Sequence, residues 1–118
     1  MLTLGIVPST FTIGHLPATA FPEDDEWIAL VRAPEGLTVV READPWTAAD
    51  RWTGFYGEAH GLDVPGVLSG LLTPLAAAGI EVFVASTFHA DLVLVPERLQ
   101  DDAVKALESA GYRIQRPS

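Results

Sequence analysis

The chain has 118 residues, with 7 Lys and Arg against 16 Asp and Glu, a formal net charge of −9. That balance argues against nucleic acid and anionic membrane as partners, because both are held through cationic contacts to phosphate. Cysteine is absent, which excludes disulfides, thiolate metal sites and a cysteine nucleophile. A chain of this length buries roughly two thirds of the surface its unfolded form exposes, so it folds around its own core. No apolar run approaches the ~20 residues of a membrane span, and MLTLGIVPST lacks the basic flank of a signal peptide. The expected location is the cytoplasm.

Acidic charge is concentrated early: residues 1–50 carry a net −6 and residues 51–118 a net −3. Much of the early excess is the run Glu23-Asp24-Asp25-Glu26, which reads with Pro17 and Pro22 as a solvated connection between strands. Residues 11–16 form a strand candidate. Residues 27–32 and 37–41 make a hairpin around Ala33-Pro34-Glu35-Gly36. Residues 44–51 leave room for one short helix. The aromatic stretch 52–58 reads as a further strand.

A helix is expected to follow. Leu68, Leu71, Leu72 and Leu75 share a face, Pro65 suits the first helical position, and Asp63 or Val64 would cap it. Pro74 crowds the carbonyl of Gly70, whose small size leaves room for a kink, so the helix runs to about Ala78 and Gly79 closes it. Residues 81–88 and 92–95 read as two strands joined through His89-Ala90-Asp91. Residues 97–110 form an amphipathic helix with Leu99, Ala103, Leu107 and Ala110 inward. Gly111 ends it, and residues 112–114 add a last strand. The order strand, helix, strand, strand, helix, strand predicts an α+β fold with a ferredoxin-like antiparallel sheet. The first half repeats strand and hairpin without the long helix. The chain therefore divides into a shortened unit over residues 1–50 and a complete one over 51–118.

The stretch EVFVASTF is apolar on both faces: Val82 and Val84 point one way, Phe83 and Ala85 the other. A sheet covered by helices on one side shows polar residues on its other side. Their absence here requires a cover, from the N-terminal half, a second copy of the chain, or both.

Several segments resemble the ACT family of amino-acid-binding domains, and within it the CASTOR-type sensors and their small bacterial relatives. They are Trp52, Pro65-Gly66-Val67-Leu68, Leu75-Ala76-Ala77-Ala78-Gly79-Ile80, and above all Ser86-Thr87-Phe88-His89-Ala90-Asp91 before LVLVPE. The likeness covers residues 52–112 well and 1–50 more loosely, through FTIGHLP and the hairpin WIALVRAPEGLTVVRE. It implies paired βαββαβ units, no catalysis, no cofactor, and a free amino acid bound at the interface between units.

On that resemblance Gly61, Asp63, Gly66, Val67, Leu68, Thr87, Phe88 and Asp91 are the ligand-binding candidates. The start of a helix offers unpaired N–H groups to an α-carboxylate, here from Gly66, Val67 and Leu68. Gly61 and Gly66 admit close approach. Carbonyls of Thr87 or Phe88 and the Asp91 carboxylate would take an α-ammonium, and Phe88 would wall the side chain. The arginine-sensing members carry glutamate immediately before the proline-glycine pair, where this chain has Val64, with Asp63 one position earlier. Ala90 replaces their usual threonine.

His89 and Asp91 share a hairpin face but lack a nucleophile or second base. His60 and His89 lack a third metal ligand at recognisable spacing. His15 and the three tryptophans read as packing residues. The resulting expectation is a non-enzymatic amino-acid-binding regulatory module, forming a homodimer and acting on a protein partner in trans. The alternative is an interaction module of the same fold with no small ligand.

Overall fold

The structure is a computed structural model that describes residues 3–57, 66–88 and 90–117. Its elements are β1 (Thr3–Leu16), β2 (Trp27–Ala33), β3 (Gly36–Glu42), β4 (Trp52–Gly57), α1 (Val67–Ala77), β5 (Phe83–Val84), β6 (Leu92–Pro96), a 3-10 turn at Glu97–Leu99, α2 (Gln100–Ser109) and β7 (Arg113–Gln115). All the strands belong to one sheet in the order β2-β3-β1-β4-β6-β5, with β7 paired to β1.

The first strand is longer than the sequence suggests. Leu4 and Ile6 are buried and alternate with half-buried neighbours, the pattern of a strand with one covered face. Pro8 obscures this in the sequence because it cannot donate to a ladder. The strand tolerates it where the pairing with β4 shifts register between Ile6 and Thr10. Beyond that break Thr10 and Phe11 resume pairing with β4, and Phe11–Leu16 pair antiparallel with β3 on the other side. The hairpin of β2 and β3 stands within a residue of its expected bounds.

No short helix forms over residues 44–51. The Asp44 carboxylate instead accepts the Trp46 amide at 2.9 Å, and the Asp44 carbonyl accepts the Thr47 amide at 3.3 Å. A short acid beside proline stabilises this local turn at the helix's expense.

Helix α1 starts later than expected. Its N-cap is Gly66, in the left-handed region at φ 84°, rather than Asp63 or Val64. It passes through Pro74, and its end is a Schellman motif: the Gly79 amide donates to the Ala76 carbonyl and the Ile80 amide to the Leu75 carbonyl, both at 3.0 Å. Gly111 and Tyr112 close α2 in the same way, on the carbonyls of Glu108 and Leu107. Ala110 is exposed, and Val104 joins Ala103 and Leu107 on the buried stripe.

From Trp52 onward the succession is strand, helix, strand, strand, helix, strand. The sheet is not purely antiparallel, however. Thr3, Leu4 and Gly5 pair in parallel with Arg113, Ile114 and Gln115, so β1 lies between β7 and β4. Residues on either side of position 50 thus share one sheet.

Two apolar clusters flank that sheet. The helices cover the first, which holds Leu4, Ile6, Phe55, Leu71, Leu75, Val93, Val95 and Leu107. The second lies on the helix-free face and holds Phe11, Val40, Leu92 and Leu94, with Ala29, Phe83 and Ala85 packed against it. Ala29 belongs to β2 and Phe83 to β5, the two ends of the strand order. Both pack on the same cluster and border one cavity because the sheet curls. The cover required by the doubly apolar stretch 81–88 therefore comes at least in part from the N-terminal hairpin.

Packing at this face is tight around Gly54. A Cβ there would stand 3.1 Å from Phe11 and 3.2 Å from both Leu92 and Val7. Gly54→Ala should cost about 1–3 kcal/mol in urea unfolding through overpacking. Gly79→Ala meets no neighbour within 4 Å and should lose about 1 kcal/mol through its positive φ alone.

A second expectation concerns acid. The amide of Glu26 and the Arg41 guanidinium hold the Asp24 carboxyl below its ordinary pKa, with Arg41 at 2.9 Å. Its contribution to stability is present above the unfolded value of 3.8 and is lost as pH falls through the lower folded value. Asp24→Asn should lower neutral stability slightly, since the pair is exposed, and should flatten the acid limb of a stability–pH curve below about pH 4 by the same small amount.

Candidate functional site

The end of β4 and the turn between β5 and β6 are tied together by short polar contacts. The Thr87 amide donates to the Ala90 carbonyl at 2.8 Å, and the Ala90 amide returns a bond to Thr87 Oγ1 at 3.1 Å. Such reciprocal bonding is how a short hydroxyl side chain fixes a tight turn. Ser86 Oγ donates to Asp91 Oδ1 at 2.7 Å, which helps satisfy a carboxylate only 5% exposed. The Asp91 carbonyl accepts the Gly57 amide at 3.0 Å. The Tyr56 hydroxyl stands 3.3 Å from Thr87 Oγ1. Phe88 projects outward from this turn, 70% exposed.

Thr87, Phe88 and Asp91 thus come together at one hairpin. Gly66, Val67 and Leu68 stand at the start of α1, which has no side-chain cap, so its first amides remain available by the geometry of any helix start. Among the described residues no hydrogen bond joins the helix start to the hairpin. Space beyond Gly66 is open, since a Cβ there meets nothing within 4 Å. Gly61, Asp63 and His89 lie outside the described residues.

Among cavities lined by described residues, two adjoin the hairpin region on the helix-free side. One of about 560 Å³ is bounded by Gly5, Val7, Tyr56 and Gly57. Another of about 530 Å³ reaches Ser86 and Thr87 from between β2 and β5. Tyr56 lines the first and Thr87 the second, so their hydroxyl contact stands between the two. Each is large enough for a small metabolite and is lined chiefly by apolar groups. Among the described residues no group of three or more His, Asp or Glu is placed to hold a metal ion. No helix among them is long and apolar enough to cross a membrane.

Tyr56 and Ser86 were not among the sequence candidates. Tyr56 could have been found from its position: Phe55 faces the helices, so its neighbour on the strand must face the other way. Ser86 sits in the motif itself, but its bond to Asp91 depends on how the turn folds.

This strand, helix start and Ser-Thr-Phe hairpin coincide with a known family pattern. The ACT domain profile matches residues 47–109, more than half of the chain. The chain belongs to the ACT-domain family. ACT domains are in general small regulatory, ligand-binding modules. Among solved structures, an Agrobacterium tumefaciens protein (Atu0741) superposes with a TM-score of 0.83 at 24% identity, covering 99% of this chain and 94% of that one. A Vibrio cholerae protein of unknown function (VC0802), described as a possible transport protein, gives 0.70 at 22% identity over 88% of this chain and 85% of that one. At such identities the likeness establishes the shared fold alone. No curated protein matches the sequence.

The hairpin contacts define a test. Ser86→Ala takes a donor from the nearly buried Asp91 carboxylate and should destabilise the ACT fold by about 1–3 kcal/mol in urea unfolding. An unchanged midpoint would show that solvent replaces the serine.

Proposed function

We propose that the protein is a non-enzymatic regulatory module of the CASTOR-like kind that binds a free amino acid. In this reading residues 51–118 are the ferredoxin-like ACT unit, its sheet closed by β1 between β4 and β7, and residues 1–50 are its shortened companion. The ligand lies between the start of α1 and the Ser-Thr-Phe hairpin. Amides at Gly66, Val67 and Leu68 hold the carboxylate, Asp91 and the carbonyls of Thr87 or Phe88 take the ammonium, and Phe88 walls the side chain. Gly61 and Asp63 belong to the connecting segment and complete the seat.

The observation that carries this reading is the uncapped start of α1 in a chain whose ACT match spans it. An uncapped helix start favours negative charge by about 0.3–1 kcal/mol when exposed, and the family is a ligand-binding one. The almost fully buried Asp91 carboxylate supplies an acceptor of opposite preference. The protein acts in the cytoplasm as a homodimer. Ligand tightens the seam between the units and passes that state to a partner in trans.

A panel of free amino acids in thermal unfolding tests the proposal. A ligand present at about 100 times its Kd adds ~2.7 kcal/mol, a rise on the order of 10 °C for a domain of this size. The rise should appear for one or a few amino acids and disappear in Asp91→Asn. Gly66→Val is a poorer probe, because φ at Gly66 is 84° and a β-branched residue strains the helix start itself. A flat response across the panel would favour the interaction module without a small ligand.

A further inference from the structure

Strands β2 and β5 end the sheet on its two sides, yet both border one groove of about 530 Å³, reached by Ile28 and Val31 from β2, by Val84 from β5 and by Ser86 just past its end. The Ala85 and Thr87 amides bond inward to the carbonyls of Leu92 and Ala90. Main-chain groups alternate in direction along an antiparallel strand, so those of Val84, within β5, point away from β6 toward the free edge, and the Ser86 amide follows, standing between two neighbours whose amides bond inward. Open edges are ordinarily blunted by a very short strand, lysine, proline or a covering loop; β5 is two residues long, so the seven-residue β2 carries most of the open edge. Between Trp27 and Val31 there is none of these side chains, and Ile28 and Val31 remain 42% and 53% exposed.

Charge selects the occupant. The acidic run Glu23-Asp24-Asp25-Glu26 leads directly into β2. Asp24 is engaged by Arg41, while Glu23, Asp25 and Glu26 are exposed and form no ion pair among the described residues. Arg32, at the other end of β2, directs its guanidinium to the carbonyls of Ala18 and Ala20. A second copy would bring the same acidic run and the same net charge of −9 to the contact.

We infer that this groove binds an extended, basic segment of a partner protein, added as a strand along the open edges of β2 and β5. Its alternate apolar side chains enter the groove, and its lysine or arginine end lies over Glu23, Asp25 and Glu26. This is strand addition, in which main-chain bonds supply affinity and the flanking charges supply specificity. The inference stands on the sheet edges and does not require an amino-acid ligand.

The probe is a short synthetic peptide of alternating valine and threonine with lysines at its ends, set against the same peptide ended by glutamates. The full chain should bind the lysine form, slow hydrogen exchange at the Val84 and Ser86 amides, and bind the glutamate form at least about tenfold more weakly at low salt. Reversing the run with Glu23→Lys, Asp25→Lys and Glu26→Lys should invert that preference. These side chains are exposed, and far-UV circular dichroism checks that the variant folds. Ile28→Lys should weaken both peptides. Equal binding of the two forms, protection confined to other strands, or no binding by a folded chain would each overturn the inference. So would self-association through β2 in sedimentation that the peptide fails to reverse.

Discussion

Both faces of the sheet are apolar, and this constraint shapes the rest of the molecule. Val93 and Val95 on β6 face the helices, while Leu92 and Leu94 on the same strand face the other side. Helices can cover only one of these. The second must be covered by the sheet itself, and a sheet covers its own face by curling. Burial at roughly 25 cal/mol per Å² of apolar surface drives Ala29, Phe11 and Phe83 together, although their strands stand far apart in the pairing order. The N-terminal hairpin is therefore a structural half of the core.

Curling has a geometric result at the functional end. It brings the edge strand β2 toward the turn that carries Ser86 and Thr87, and it leaves two cavities on the concave side, with the Tyr56–Thr87 hydroxyl contact between them. The polar hairpin thus sits at the rim of an apolar trough. Its own bonds are short and local, so the rim is fixed independently of whatever enters the trough. That combination of a rigid polar rim and an open apolar floor suits recognition by position and shape.

Much of the second half was legible from residues alone. The leucines of α1 announce their face by spacing, Gly79 and Gly111 announce the helix ends, and the run LVLV before Pro96 can only be a buried strand. Other features were hidden for physical reasons. Pro8 breaks the apparent alternation that begins at Leu4, so the first part of β1 does not read as a strand. Asp44 forms a local turn that helix propensity does not reveal. Gly66 follows Pro65 as if inside the helix, whereas its positive φ makes it the reversal just before. A three-residue strand such as β7 carries no signal about which edge it joins, and its choice of β1 over β4 is a tertiary outcome. The ligand candidates were legible as a motif, through Thr87, Phe88 and Asp91. Tyr56, which meets Thr87 across strands, required the register of β4 and β6.

The parallel pairing of Arg113–Gln115 with Thr3–Gly5 also orders events during synthesis. Strand β1 gains this outer neighbour only after α2 has been made. Contacts so remote in sequence carry a large loop-closure cost and form late. Until then the start of β1 offers an open edge, and the nascent chain is most vulnerable to mispairing there.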